Sequence, residues 1–185
     1  MIAAGVNTKK ARLAQPPPPL MKQDPLRISS SDLNRKSPFS NNYTFERILY
    51  LGELGEVSVL KSKKSVQKVL EKSFALNTKS EFEETLKTVK TYFNFDCPTI
   101  LKVYDYATQH VNELCSEHYN IRVFFESFDR TLEEAVSERK KESIMFSGAS
   151  IERLLSDVGT ALEFLLRHRM SYNCLTPKHI GVHCL

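Results

Sequence analysis

The stretch YTFERILYLGELGEVSVLKSKKSVQKVLEKSF, residues 43–74, decides the fold of this chain. It contains three runs that are rich in β-branched and aromatic residues, separated by two glycines and a cluster of lysines. Such runs between turn signals are typical of β-strands. The stretch therefore predicts three strands joined as an antiparallel meander. The predicted strands are 43–52, 56–62 and 65–74.

A helix and two further strands are predicted downstream of this meander. Ser80 and Glu83 have the spacing of a capping box, and apolar residues then recur at helical intervals to about Asn94. The runs TILKVYDYAT (99–108) and YNIRVFFESF (119–128) alternate in the manner of strands. The fold class is therefore predicted to be α+β, with a five-stranded antiparallel sheet and one inserted helix.

Two more helices are predicted near the end of the chain. Thr131 and Glu134 form another capping-box pattern ahead of a heavily charged segment, which predicts a short surface helix. Apolar residues at positions i, i+3, i+4 and i+7 then predict a long helix over residues 150–168, buried along one face. The apolar positions of this helix are Ile151, Leu154, Leu155, Val158, Leu162, Leu165 and Leu166.

Residues 1–42 differ in composition from the rest and predict an extended or disordered tail. They carry seven Lys or Arg against two Asp, a local charge of +5, whereas the whole chain carries +4. Residues 14–26 contain five prolines, which favour a polyproline II conformation. This segment is either a plain linker or a ligand for a proline-binding groove. The basic residues are either solvated or contact an acidic surface.

The four cysteines and the hydropathy pattern indicate where in the cell the protein is expected. The cysteines form no Cys-x-x-Cys pair and accompany no signal peptide, which predicts reduced thiols inside the cell. No apolar run approaches the roughly 18 residues of a membrane span. We therefore expect a soluble, cytoplasmic protein, cytoskeletal or ciliary in setting, with mitochondrial import as the alternative. The predicted folded region has no basic stripe, so no nucleic-acid partner is expected.

The segment YNCLTPKHI, residues 172–180, has the frame Leu-x-Pro-x-x-Ile. Together with the order of the predicted elements, this frame resembles the first part of a eukaryotic protein kinase domain over residues 43–185. The resemblance implies a kinase N-lobe over 43–128, followed by a partial C-lobe with two helices over 129–185. The tail, 1–42, lies outside it.

The resemblance also implies a vestigial nucleotide site. A kinase phosphate loop has the pattern Gly-x-Gly-x-x-Gly-x-Val, and Gly52 and Gly55 match its second and third glycines, while Tyr50 replaces the first. Lys68 corresponds to the lysine that holds the α- and β-phosphates, although Gln67 beside it departs from the family's apolar preference. ATP binding is therefore expected to be weak or absent, and no cofactor is predicted.

Two further positions follow from the same resemblance. The glutamate that pairs with the phosphate-binding lysine should lie on the inserted helix. Counting back from Cys97 reaches Thr88, and Glu84 is the alternative if the helix is a turn longer. Phe125 corresponds to the residue at the back of the adenine pocket, where its ring should narrow the site, and residues 126–128 correspond to the hinge.

The segment that corresponds to the catalytic loop keeps the residues that shape the loop and lacks the side chains that carry out phosphoryl transfer. Leu175, Pro177 and Ile180, which should pack the loop, match the family. Where an active kinase has an Asp base, a Lys and a magnesium-binding Asn, this chain has Cys174, Thr176 and His179, respectively. The chain also ends before an Asp-Phe-Gly segment. We therefore expect a catalytically inactive, truncated kinase-like domain.

The expected function is a structural or scaffolding subunit of a larger assembly, which binds protein partners through tail 1–42 and helix 150–168. Because a full kinase packs further helices on the equivalent of helix 150–168, truncation should leave apolar surface uncovered there, and such a patch usually has a partner. The alternatives are a nucleotide-sensing module that binds ATP without phosphotransfer, and a weak kinase that another chain completes. A zinc site or a catalytic thiol is a weaker possibility. Its residues would come from Cys115, His118, Cys174, His179, His183 and Cys184.

Overall fold

A computed structural model describes residues 2–4, 32–52, 55–113, 116–173 and 175–183 of the 185-residue chain. Its main body is a five-stranded antiparallel sheet with the order β2-β3-β4-β6-β5. The strands are β2 (Tyr43–Gly52), β3 (Gly55–Ser62), β4 (Lys68–Leu76), β5 (Val103–Glu113) and β6 (Ser116–Glu126). The sequence predicted these five strands and their meander, and both are confirmed.

Helix α2 (Lys79–Phe93) crosses one face of this sheet. Its buried side chains Phe82, Leu86 and Val89 pack against strands β5 and β6. The helix begins two residues before the predicted position, because Thr78 rather than Ser80 caps it. The Thr78 side chain accepts a hydrogen bond from the Glu81 N–H at 3.2 Å, and the Glu81 carboxylate accepts one from the Thr78 N–H at 3.1 Å.

Residues 32–42, which were assigned to the tail, belong to the folded region. They run along strand β5 and end in the short helix α1 (Phe39–Asn42). Ser37 is buried, and its hydroxyl donates a 2.6 Å hydrogen bond to Asp105. The Arg35 guanidinium pairs with the same carboxylate at 2.6 Å.

The second face of the sheet is covered by the same segment. The Phe39 ring stacks on the rings of Tyr43, Tyr104 and Phe124, at centroid distances between 5.1 and 6.1 Å. Phe124 is completely buried there. The folded region therefore begins at or before Asp32 rather than at Tyr43.

Three short strands form a separate small sheet. Strand β8 (Ile180–Val182) lies between β7 (Arg130–Thr131), which is antiparallel to it, and β1 (Ile2–Ala4), which is parallel to it. The sequence predicted none of these three strands. Gly181 is required here, because a Cβ at this position would lie 2.6 Å from the ring of Phe128.

The two predicted C-terminal helices are present. Helix α3 (Leu132–Glu142) begins with the predicted capping box of Thr131 and Glu134. Helix α4 (Gly148–Arg167) has the predicted extent to within two residues. Within the described ranges, no helix is long and apolar enough to cross a membrane.

Candidate functional site

A cleft of 530 Å³ lies between the sheet, helix α2 and the loop that precedes β8. Its volume falls within the range of about 300–1,000 Å³ that is usual for small-molecule sites. Most of its wall is apolar and comes from the sheet, from helix α2 and from residues 100–101. The apolar residues that line it are Val57, Leu70, Phe74, Val89, Ile100, Leu101, Val103, Val123 and Phe125.

Lys72 brings a positive charge into this apolar wall. It lies on β4 between Leu70 and Phe74, on the face that lines the cleft. Its ammonium lies 5.0 Å from the Phe74 ring centroid, and it pairs with no carboxylate among the residues that the structure describes. Burial lowers the pKa of Lys72 below its ordinary value of 10.5. A half-buried cation of this kind favours an anionic ligand.

Lys68, the predicted phosphate-binding residue, lies elsewhere. Its side chain is 43% exposed, and its Nζ forms a 2.8 Å ion pair with Glu46 on the neighbouring hairpin. This pair lowers the pKa of Glu46. Lys72 lines the cleft instead. The sequence contained a signal for it, because Val69 and Lys72 have the Val-x-x-Lys spacing of the kinase motif.

Both predicted partners on helix α2 reach the cleft. Glu84 and Thr88 lie one turn apart and line it on the helix side. The Thr88 hydroxyl donates to the Glu84 backbone carbonyl at 3.1 Å, so this hydroxyl is engaged within the helix. Glu84 is therefore the carboxylate that α2 brings to the same cleft as Lys72. Glu83 lies outside it and pairs with Lys79 at 3.9 Å.

The predicted glycine loop closes the hairpin between β2 and β3. Gly52 and Gly55 are directly opposite each other in the strand register, and the two residues between them lie outside the described part of the chain. A phosphate-binding role for these glycines stays a prediction.

The loop that was predicted to correspond to the catalytic loop forms the opposite wall of the cleft. Ser171, Tyr172, Asn173 and His179 line it. His179 is buried, and its Nδ1 lies 3.4 Å from the Thr176 hydroxyl. Cys174 lies outside the described residues. The loop thus lends the cleft polar and aromatic side chains, none of them a carboxylate in the part that the structure describes.

The packing of this loop differs in part from the prediction. Ile180 is buried against α3, as expected, but Leu175 is 39% exposed. The 3₁₀ turn Pro177–His179 fixes the end of the loop instead. Phe125, the predicted residue at the back of the site, does line the cleft, opposite Leu70 in the strand register.

Helix α4 carries a second feature of functional interest, an exposed apolar stripe. Its buried side is formed by Ala161 and Leu165, with Leu154, Val158 and Phe164 partly covered. The other apolar positions are exposed, and uncovered apolar surface on this helix is what the resemblance to a truncated kinase domain implied. The stripe consists of Ile151 (47% exposed), Leu155 (66%), Leu162 (36%) and Leu166 (73%).

The cysteine and histidine residues do not form a metal centre in the described part of the chain. No three His, Cys, Asp or Glu side chains cluster there in a way that would hold a metal ion. Cys115, Cys174 and Cys184 fall outside that part.

The chain matches no protein-family model, and a search of characterised proteins gives no significant sequence match.

Proposed function

We propose that this chain is a kinase-like domain that binds protein partners and does not transfer phosphate. Five antiparallel strands with one helix inserted after the third of them are the arrangement that the resemblance implied. The cleft between this sheet and the 171–179 loop lies where such a domain would hold a nucleotide. These features support the kinase-like part of the proposal.

The absence of phosphotransfer follows from the groups in the catalytic loop. Phosphoryl transfer needs a carboxylate base and oxygen ligands for magnesium. The corresponding positions hold Cys174 and His179. The imidazole of His179 is a poor magnesium ligand and lies against Thr176 in a buried position. The loop therefore serves to shape the cleft.

The exposed stripe on α4 supports the proposed scaffolding role. Ile151, Leu155, Leu162 and Leu166 fall within an arc of about 60° on a helix that turns 100° per residue. Contiguous exposed apolar surface of this kind marks interaction sites. The occupant that fits is an amphipathic helix of a partner protein, because apolar side chains spaced by about one and two turns match the ridges of such a helix.

Crosslinking from the stripe tests this role. A photoreactive residue at position 155 should crosslink to an apolar face of a partner helix, whereas one at Val66, which is 85% exposed in a loop, should not. A second photoreactive residue, at position 151, should also crosslink to the partner helix. The double substitution Leu155→Glu with Leu166→Glu should abolish that crosslink. The same melting temperature as the wild type would show that the fold is intact. An undiminished crosslink in this double variant would contradict the proposal.

The tail supplies a second contact in this proposal. Its anchoring part is shorter than predicted, because residues 2–4 and 32–42 belong to the fold. The prolines at 16–19 favour an extended conformation, so that docking them costs less entropy than ordering a flexible segment. The cytoskeletal or ciliary setting of the assembly stays a prediction.

A second candidate function is nucleotide binding without phosphotransfer, which the position of Lys72 favours. Lys72 pairs with no carboxylate among the described residues, and an ammonium in an apolar cleft suits a phosphate group. Glu84 lines the same cleft. ATP should then raise the melting temperature, and Lys72→Met should abolish the rise. Lys68→Met is the matched control and should retain it. No rise with ATP, with or without magnesium, would exclude this candidate.

A further inference from the structure

A second cleft lies on the opposite side of the sheet from helix α2, where residues 34–41 cross strands β5 and β6. Its volume is 470 Å³, and most of the residues that line it have polar side chains. Lys36 and Arg122 line it, together with the amide side chains of Asn34, Gln109 and Asn120. Within the described part of the chain, no carboxylate lines this cleft. It is therefore a concave surface rich in hydrogen-bond donors.

The cationic groups are held in different ways. The Arg122 guanidinium donates to the Ser40 hydroxyl at 2.9 Å and lies 3.7 Å from Glu71, so that its position is fixed while other N–H groups remain available. Lys36 is exposed and forms no ion pair with a described residue. The Arg35 guanidinium donates to the Asp105 carboxylate and to the Tyr106 carbonyl, so that it holds the segment 34–41 against strand β5.

The amide side chains indicate which groups the ligand carries besides a negative charge. Gln109 and Asn120 lie directly opposite each other on neighbouring strands, and neither side chain hydrogen-bonds to a described residue. The Asn34 carbonyl oxygen accepts the His110 N–H at 3.1 Å, which leaves the Asn34 NH₂ group unoccupied by that bond. Amides donate and accept, and they therefore suit hydroxyl groups.

We infer that this cleft binds a small phosphorylated polyol of the sugar-phosphate class. Arg122 and Lys36 would hold the phosphoryl group, because charge-assisted hydrogen bonds to a guanidinium are short and strong. Gln109, Asn120 and Asn34 would contact the hydroxyl groups of the ligand. This site is independent of the cleft that contains Lys72 and of the stripe on α4.

Thermal unfolding and calorimetry with the full chain test the inference. The probes are glucose 6-phosphate, pyrophosphate, glucose and sodium chloride at matched ionic strength. A tenfold excess of glucose 6-phosphate over its Kd should raise the melting temperature by about 3–5 °C. Pyrophosphate should act more weakly, and glucose or chloride should have no effect. Equal shifts with chloride would overturn the inference, since they would indicate general charge screening.

Substitutions test whether glucose 6-phosphate binds in this cleft. Asn120→Asp is nearly isosteric and places a carboxylate in the cleft, so it should weaken glucose 6-phosphate binding at least about tenfold. Arg122→Gln should have a similar effect. Lys140→Gln with Lys141→Gln on α3 should leave binding unchanged. Unchanged affinity in both cleft variants would overturn the inference.

The basic tail requires its own control. Lys9→Gln, Lys10→Gln and Arg12→Gln together remove three cations outside the described residues, and this variant should bind as the wild type does. If it lost binding, the phosphate would be held by the tail and the assignment to this cleft would be wrong.

Discussion

Replacing Ser37 by alanine should destabilise the fold, although composition places Ser37 in a tail. Its hydroxyl donates to the Asp105 carboxylate at 2.6 Å, and both residues are more than nine-tenths buried. A hydrogen bond to a charged group contributes about 1.5–3 kcal/mol, and a buried carboxylate that loses a donor is costly. The same hydroxyl also accepts the Phe39 N–H at 3.2 Å. We therefore expect a loss of roughly 2 kcal/mol of unfolding free energy.

Urea unfolding followed by circular dichroism measures this loss at pH 7. Ser80→Ala is the matched control, because Ser80 is exposed and Thr78 caps helix α2 in its place. The control should stay within about 0.5 kcal/mol of the wild type. A loss below about 0.5 kcal/mol for Ser37→Ala would refute the assignment of residues 32–42 to the fold.

The effect should also depend on pH. Burial by itself would raise the pKa of Asp105, but hydrogen bonds from Ser37, Arg35 and the Tyr106 N–H together lower it below its ordinary value of 3.8. A carboxyl group whose pKa is lower in the folded state contributes stability above pH 3.8 and loses it as the pH falls through the folded value. The difference between wild type and Ser37→Ala should therefore shrink below about pH 4. A constant difference over the range in which both proteins fold would contradict this mechanism.

Two further predictions concern packing, and thermal unfolding checks both. Gly181→Ala should destabilise by about 1–3 kcal/mol, because its Cβ would lie 2.6 Å from the buried Phe128 ring; Gly159→Ala, with open space around it, should not destabilise. Leu86→Ala should cost about 2–5 kcal/mol because Leu86 is fully buried, whereas Leu155→Ala should cost less than about 0.5 kcal/mol. Equal losses within either pair would contradict the packing described here.

The five strands and the inserted helix were predictable because each has its own local signal. Alternating β-branched residues mark the strands, and Phe82, Leu86 and Val89 recur at helical spacing. Residues 32–42 have no such signal. They attach through hydrogen bonds and ion pairs of Asp32, Asn34, Arg35 and Ser37 and through the Phe39 ring, so their placement depends mostly on partners about 60–85 residues away. Periodicity cannot report contacts of that kind.

Helix α4 shows a second limit of periodicity. Its seven predicted apolar positions are all on the helix, but they form two adjacent arcs rather than one. Leu165 is buried, and Leu166 beside it is 73% exposed. The spacing of apolar residues shows that a helix has an apolar side. The resemblance implied that some apolar surface of this helix stays uncovered, but which arc the rest of the chain covers depends on tertiary packing and is seen only in the structure.

The choice between two lysines illustrates what limits site prediction. Lys68 and Lys72 are four residues apart on β4, so alternation places both on the same face of the strand. At about 3.3 Å per residue, they are about 13 Å apart along it. Alternation along the strand therefore predicts the face on which both lysines lie. It does not predict the position along the strand at which helix α2 and the loop 171–179 cover that face. Only Lys72 lies where that closure removes water, and its pKa falls for this reason. The cost of keeping a cation there is an argument that it serves a ligand rather than the fold.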